Sequence, residues 1–138
     1  HDALPICEAR NCQVRHGDMY QLPLPDGSFA AAVLHQVLHF ADDPFAALAE
    51  ACRVLAPGGR LVVVDLARHE LERLREQKRH RRLGFSDDEV AGWFRELGLS
   101  LEEPVRLKGP ELCVVIWAGR RALAAGRTTL ELTRRDAA

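Results

Sequence analysis

The sequence predicts an α/β fold with a mostly parallel sheet that ends in an antiparallel hairpin. Two unbroken apolar runs, residues 29–34 (FAAAVL) and 60–66 (RLVVVDL), have the length of strands buried on both faces. Apolar residues recur at helical spacing between them, which gives the order strand, helix, strand. Such a crossover joins two parallel strands and is right-handed.

The elements around the first buried run are short. Residues 12–16 centre on Val14 and predict a strand that ends at Gly17 and Asp18. Two prolines and an Asp-Gly pair exclude a helix from residues 21–28 and predict a connecting loop. The crossover helix is expected to begin at residues 42–44 (DDP), because an aspartate before a proline is typical of a helix N-terminus.

Two further helices are predicted after the second buried run. The strongly charged residues 68–82 suit an exposed helix. Ser86 and Glu89 have the spacing of a capping box, in which each side chain bonds the backbone N–H of the other residue. They predict a helix that stops at Gly98. Its apolar face would comprise Val90, Trp93, Phe94 and Leu97.

The C-terminal part predicts the antiparallel hairpin. Residues 99–107 and 112–118 have the composition of strands, and Lys108-Gly109-Pro110 between them predicts a turn. Residues 121–138 show weak periodicity, so we expect a loosely ordered tail.

Composition bounds the class of protein. The chain of 138 residues fits one domain, with 47% hydrophobic residues and a formal net charge of −1. That charge gives no overall attraction to nucleic acid or anionic lipid. The apolar runs are far shorter than the roughly 20 residues that span a bilayer, so we expect a soluble, cytoplasmic protein. The four cysteines are scattered and predict free, mostly packed thiols.

Candidate ligand-binding residues follow the predicted strands. In an open parallel sheet, ligands bind beyond the carboxyl ends of the strands, where loops and helix N-termini converge. The residues at those ends are Asp18 and Met19, then residues 35–40, then residues 65–68. These three groups are therefore the candidates for a site.

Three motifs carry a resemblance to a known family. They are GDMYQLPLPDGSF (17–29), HQVLHF (35–40) and RVLAPGGRLVVVD (53–65), and in this order they resemble the second half of class I S-adenosylmethionine-dependent methyltransferases. The resemblance covers roughly residues 13–120. HRRLGFSDDEV (80–90) and WFRELGL (93–99) resemble the subgroup fused behind an ArsR-type winged-helix repressor domain. The resemblance implies a Rossmann-like methyltransferase fold, S-adenosylmethionine as the cofactor and a small methyl acceptor.

The resemblance also implies roles for single residues. Asp18 would accept a hydrogen bond from the adenine amino group, and Met19 would pack on the adenine ring. His35 would lie beside the methionine part of the cofactor. The alternative for Asp18 is that its carboxylate only caps the turn after Gly17.

Two residues are candidates for the acceptor side of the site. His39 would face the acceptor pocket, or it is a packed or capping histidine. Asp65 would be either a loop cap or a substrate-side group. The pair His35 and His39 has no third partner that would make a metal site, so we expect no metal. The basic residues 78–82 are interpreted as a solvated helix face rather than a nucleic-acid patch, because glutamates lie nearby.

Two parts of the family pattern are missing from the sequence. The family binds its cofactor through a glycine-rich loop after strand one and an acidic residue at the end of strand two, and no G-x-G occurs in this chain. Ala30 also replaces the family's aspartate after the PDGSF phenylalanine. Residues 1–7 do not fit the resemblance, and HDALPI back-translates to a stretch similar to the end of a sequencing-library adapter.

These departures predict a gene fragment. We expect a non-native leader over residues 1–7, a partial methyltransferase domain over 8–120 that lacks the first two strands, and the tail over 121–138. Without its usual neighbours the strand at 29–34 would have a bare edge, residues before Gly17 would be displaced, and the chain would self-associate. The fragment alone would be inactive and would bind S-adenosylmethionine poorly.

Two other function classes are alternatives for this sequence. One is a non-catalytic module that senses S-adenosylmethionine for a fused ArsR-type regulator, in which case nucleic acid would be bound only by a missing winged-helix domain. The other, a nucleotide-dependent oxidoreductase, lacks the same glycine loop and has no support from the later motifs.

Overall fold

The computed structural model describes residues 10–123. A β-strand, a 3-10 turn and a helix come first, a long strand and two helices follow, and three strands end the described chain. In order they are β1 (Phe29–His35), the 3-10 turn (Leu38–Phe40), α1 (Pro44–Arg53), β2 (Leu55–Leu66), α2 (Glu72–Gln77), α3 (Asp87–Glu96), β3 (Leu99–Leu101), β4 (Val105–Lys108) and β5 (Cys113–Arg121).

The strands form one mixed sheet in the order β1-β2-β5-β3. β1 and β2 are parallel and are joined through α1, as the sequence predicts, with Val33 opposite Val62. β5 is antiparallel to β2, and its other edge pairs with β3 and β4 end to end. The expected α/β fold with an antiparallel ending is confirmed, and the parallel part of the described sheet is the β1–β2 pair.

The core lies where α1 and α3 pack on this sheet. Trp117 on β5 is fully buried, and its indole N–H donates to Asp87 at the start of α3 over 2.9 Å. α3 brings the fully buried Val90 and Phe94 against the sheet, and α1 brings Leu48. Burial of these large side chains fixes both helices on the sheet.

The N-terminal ends of both long helices form as the sequence predicts. The Asp43 side chain accepts from the backbone N–H of Ala46 over 3.1 Å, and Pro44 opens α1. Ser86 accepts from the backbone N–H of Glu89 over 3.2 Å at α3. The reciprocal half of the capping box is not formed, because the Glu89 carboxylate pairs with Arg82 instead.

β1 is less buried than the sequence predicts. Only Leu34 is buried, whereas Phe29 is 40% and Val33 is 61% exposed. The strand lies at the edge of the described sheet, so part of its apolar surface has no neighbour there. An apolar run shows that a strand can be buried, but the number of layers around it decides whether it is.

β2 begins earlier than expected. Phe29 pairs with Leu55 and Ala31 pairs with Arg60, so three additional residues are accommodated on β2. The segment Pro57-Gly58-Gly59 of the third motif is therefore an irregularity inside the strand. Gly58 has a φ of +76°, which glycine adopts without strain.

Three other predicted segments differ from the structure. Residues 12–16 form no strand, because Val14, their apolar centre, is 55% exposed and finds no core to join. The charged helix predicted over residues 68–82 is reduced to the six residues of α2. The strand predicted over residues 99–107 is divided into β3 and β4, since Pro104 offers no N–H for the ladder.

The cysteines in the described part of the chain are free thiols. Cys52 is buried, Cys113 is half-buried and Cys12 is exposed. The predicted non-native leader and the predicted tail lie almost entirely outside the described residues. Within residues 10–123, no helix is long and apolar enough to cross a membrane.

Candidate functional site

The carboxyl ends of β1 and β2 meet at one edge of the sheet. β1 ends at His35, which pairs with Val64, and Asp65 follows Val64 on β2. Gln36, with a φ of +53°, turns the chain out of β1 into the 3-10 turn that carries His39. Two of the candidate residues are thus delivered to the same place by neighbouring strands.

His39 and Asp65 form a buried pair. Nδ1 of His39 lies 2.6 Å from Oδ1 of Asp65. The carboxylate also accepts from the backbone N–H groups of Leu38 (3.1 Å) and Leu66 (2.8 Å), and it is fully buried. A carboxylate oxygen accepts, so Nδ1 of His39 donates in this hydrogen bond, and Nε2 is left without a partner among the described residues.

His39 is also held by residues outside the sheet. Its carbonyl accepts from the backbone N–H groups of Arg81 (2.7 Å) and Arg82 (3.0 Å). The rings of Phe40 and His80 both lie 4.2 Å from its ring, centroid to centroid. His39 is 3% exposed, and these contacts leave its imidazole little freedom to rotate.

Two more histidines complete this cluster, which we call the histidine cluster (His39, His69 and His80 with Asp65). Burial and then the charge of His39 lower the pKa of His69, and burial, His39 and His69 lower the pKa of His80. Both rings are therefore neutral near pH 7. Among the described residues, Nε2 of His69 and Nδ1 of His80 are covered and have no hydrogen-bond partner.

The loop that carries His69 and His80 is tied to β2 at its far end. The backbone N–H of Phe85 donates to Leu66 over 2.9 Å, and Arg68 donates to Phe85 over 3.1 Å. Gly84 allows this approach, because a Cβ there would overlap the carbonyl of Ala67 and its φ is +78°. The tertiary fold thus places His80 against His39, although 41 positions separate them (80 minus 39).

The residues predicted to bind the cofactor are brought together in part. Met19 and His35 line one apolar cavity of about 340 Å³, with the exposed face of β1 and with Ala47 and Ala51 of α1. Asp18 does not line that cavity. Its Oδ1 accepts from the backbone N–H of Tyr20 over 2.9 Å. The carboxylate therefore caps the turn after Gly17, which is the alternative role given for Asp18.

Two residues of α1, Arg53 and Glu50, fix the loop before β1, and Arg53 also pairs with Asp26 of that loop. The guanidinium of Arg53 binds both carboxylate oxygens of Glu50 and the carbonyls of Leu22 (3.1 Å) and Leu24 (2.9 Å). Glu50 also accepts from the backbone N–H of Leu22 over 2.9 Å, and the Arg53 side chain lowers the pKa of Glu50. Met19 therefore lies at a defined place beside β1.

This cavity fits one end of an adenosyl cofactor. An apolar lining with a thioether suits an aromatic base, and Oδ2 of Asp18 has no partner among the described residues. The chain contains no G-x-G loop for the other end. In the described residues no group of three or more histidine, cysteine, aspartate or glutamate side chains has metal-binding geometry.

Sequence reasoning named His39 and Asp65 but did not join them, and it missed His69 and His80. The signal for the pair was present, because His39 follows β1 and Asp65 ends β2 at the same edge of a parallel pair. The interpretation of residues 78–82 as a helix face is wrong, since α2 ends at Gln77. Arg81 pairs with Asp42 over 3.2 Å.

Comparisons with known proteins find methyltransferases among the similar sequences and structures. Residues 2–63 match the family model "Methyltransferase domain". The chain is 51% identical over 49 residues to an uncharacterized methyltransferase of Schizosaccharomyces pombe, covering 36% of this chain and 18% of that protein. It is 34% identical over 95 residues to the 27-O-demethylrifamycin SV methyltransferase of Amycolatopsis mediterranei, covering 63% of this chain and 35% of that protein.

A solved structure gives the same fold. The S-adenosylmethionine-dependent methyltransferase of Thermotoga maritima superposes with a TM-score of 0.63 at 28% identity, covering 85% of this chain and 68% of that one. The chain spans well under half the length of the two curated relatives above. The family match and the structural likeness indicate S-adenosylmethionine as the cofactor. The described chain has the Rossmann-like fold of S-adenosylmethionine-dependent methyltransferases.

Proposed function

We propose that this chain is part of an S-adenosylmethionine-dependent methyltransferase of the cytoplasm that methylates a small acceptor. The observation that carries the proposal is the placement of two different surfaces at one sheet edge. The apolar cavity lined by Met19 and His35 runs along β1, and the His39–Asp65 pair lies just after the end of that strand. A donor and an acceptor could meet between them.

Each residue has a role in this proposal. Met19 covers the adenine ring, Oδ2 of Asp18 accepts from the adenine amino group, and His35 lies beside the methionine part. The cofactor supplies an electrophilic methyl group on a sulfonium sulfur. His39 and Asp65 face the acceptor, and the protein accelerates transfer chiefly by holding the reacting atoms in line.

Methionine labelling tests the cofactor half of the proposal. Met19 is the only methionine of the chain, so a ¹³C-methyl label gives one NMR signal. S-adenosylmethionine should shift that signal through the ring current of adenine, at high ligand concentration only, because the glycine loop is absent. Asp18→Ala should weaken cofactor binding by about 1–3 kcal/mol, or about 5- to 150-fold, because it removes the acceptor for the adenine amino group.

Glu103→Ala is the control for this titration, since Glu103 is exposed and makes no side-chain hydrogen bond among the described residues. A cofactor that binds without moving the Met19 signal would refute the placement. Micromolar affinity would instead overturn the expectation that part of the site is missing from this chain.

A regulatory module is the second candidate. It depends on the resemblance of residues 80–90 and 93–99 to methyltransferases fused to ArsR-type repressors. In the structure the first of these segments carries His80 and the N-terminal cap of α3. A winged-helix segment encoded upstream in the same gene would favour this candidate, and an upstream sequence that encodes only a glycine-rich loop domain would favour the enzyme.

A further inference from the structure

The His39–Asp65 pair leaves one reactive atom unused. Nδ1 of His39 is hydrogen-bonded to Asp65, so Nε2 is the remaining polar atom of the ring. No described residue donates to it, and 4% of the side chain reaches solvent. The ring is held by its contacts and backed by a buried carboxylate, which is the arrangement of a histidine that accepts a proton from a ligand.

A cationic cavity of about 470 Å³ lies next to His80, whose ring contacts that of His39. It is lined by Arg75, Arg79, His80 and Arg81. Arg75 and Arg81 make exposed ion pairs, whereas Arg79 makes none with a described residue. Exposed ion pairs contribute little and are readily exchanged for a ligand anion.

His80 connects the cavity with the proton acceptor. It lines the cavity, and its ring lies 4.2 Å from that of His39. Its own Nδ1 is covered and has no partner in the described part of the chain. A ligand seated in the cavity therefore has cationic groups on one side and His39 one ring away on the other.

We propose that the acceptor is an alcohol or phenol that also carries an oxyanion, with the oxyanion in the arginine-lined cavity and the hydroxyl at Nε2 of His39. This proposal rests on the proposed function and names its substrate class. Arginine recognises carboxylate and phosphate alike through paired N–H donors, so the shared chemistry is the oxyanion.

In this reaction the acceptor hydroxyl loses its proton and gains the methyl group. The hydroxyl proton passes to Nε2 of His39, the oxygen forms a bond to the methyl carbon, and the carbon–sulfur bond of S-adenosylmethionine breaks with its electron pair on sulfur. The products are a methyl ether, S-adenosylhomocysteine and an imidazolium that Asp65 stabilises. His39 is the catalytic residue in this step and Asp65 is a positioning residue.

His39 is the better proton acceptor of the two stacked rings. A buried carboxylate, that of Asp65, lies 2.6 Å from its Nδ1 and would face an imidazolium formed there. His80 has no carboxylate bonded to it in the described structure, and burial and the other histidines lower its pKa. His80 thus lines the cavity as a neutral ring and does not take the proton.

An acidic phenol with a visible ionised form tests the proposal without the cofactor. The probe is 4-hydroxy-3-nitrobenzoate, and its matched control is 4-hydroxy-3-nitrobenzamide, which keeps the phenol and loses the anion. At a pH where the free phenols are mostly protonated, the benzoate should bind about tenfold more tightly than the amide. Its yellow phenolate band should rise on binding, because the proton moves to His39.

Variants assign the two effects to their residues. His39→Asn keeps an amide N–H toward Asp65 and removes Nε2, so the benzoate should still bind while the rise in phenolate is lost. Arg79→Gln should weaken binding of the benzoate and leave binding of the amide unchanged. Arg60→Gln, at the other end of β2 in an exposed pair with Glu102, should behave as the unaltered chain.

An undiminished phenolate signal in His39→Asn overturns the role of His39. Equal binding of benzoate and amide overturns the oxyanion. Neither readout involves S-adenosylmethionine, so a failure of the Met19 response would refute the proposed function and leave these results to stand separately.

Discussion

Oδ1 of Asp65 lies 2.6 Å from Nδ1 of His39, although 26 residues separate them in the chain. The contact exists because β1 and β2 are neighbours and end at the same edge. Two backbone N–H groups share the carboxylate with the imidazole, so the charge of Asp65 is compensated without any exposure to solvent.

Removing that carboxylate should be costly. Asp65→Ala leaves the imidazole N–H and the N–H groups of Leu38 and Leu66 without an acceptor in a buried place, and we expect a loss of about 3–5 kcal/mol in the free energy of unfolding. Urea denaturation measures it, with the exposed Glu103→Ala as a control that should change it by no more than about 0.5 kcal/mol. An equally small loss for Asp65→Ala would mean that the pair is not formed in solution.

Two glycines should respond oppositely to alanine. A Cβ at Gly119 would lie 2.7 Å from Cδ2 of Phe94 and 2.9 Å from the carbonyl of Ser100, so Gly119→Ala should destabilise by about 1–3 kcal/mol. Gly92, inside α3, has nothing within 4 Å, so Gly92→Ala should stabilise by roughly 0.4–1 kcal/mol. Thermal melting of both variants compares them directly, and the same sign in both would contradict the packing of α3 on β5.

The cap of α3 should have a measurable effect. Ser86→Ala removes the acceptor for the backbone N–H of Glu89 and should cost about 0.5–2 kcal/mol. Ser100, exposed on β3, is the matched control. If both serine variants melt at the same temperature, the Ser86 hydroxyl does not cap the helix.

Stability should fall below pH 6.5 because of His69 and His80. Their pKa values lie below the ordinary 6.5 in the folded chain, so in that window the unfolded state binds more protons than the folded state. The free energy of unfolding therefore rises with pH through this window and falls as the pH is lowered.

Substitution of one ring tests this dependence. Urea unfolding at pH 7.5 and pH 5.5 should show a smaller difference for His80→Gln than for the unaltered chain. His16→Gln, at an exposed position, should leave the difference unchanged. A pH dependence that survives in His80→Gln and in His69→Gln would assign it to other groups.

The edge of β1 should drive self-association. β1 is at the end of the strand order, and Val33 on it is 61% exposed. We expect Val33→Lys to reduce the mass seen by light scattering at high concentration, because a charge on an edge strand opposes pairing. Gln77→Lys adds the same charge at the end of α2 and should change nothing, and a monomeric unaltered chain would contradict the prediction.

Local patterns determined much of this protein. The apolar run of β1, the Asp43-Pro44 start of α1, the Ser86 cap and the Gly98 stop of α3 are set by residues close in sequence, since caps and turns need only neighbouring backbone groups. The ordered motifs from Gly17 to Asp65 also indicated the methyltransferase fold. Met19 and His35 could be expected near each other because they belong to the first and second of these motifs.

The tertiary structure decided what depends on contacts between distant segments. Val33 has the same apolar character whether one or two layers cover its strand, so the sequence could not predict its exposure. His39 and Asp65 each had a local alternative as a packed or capping residue, and only the parallel register of β1 and β2 joined them. His80 reaches His39 because Gly84 lets its loop close on Ala67, a steric condition that no nearby residue reveals.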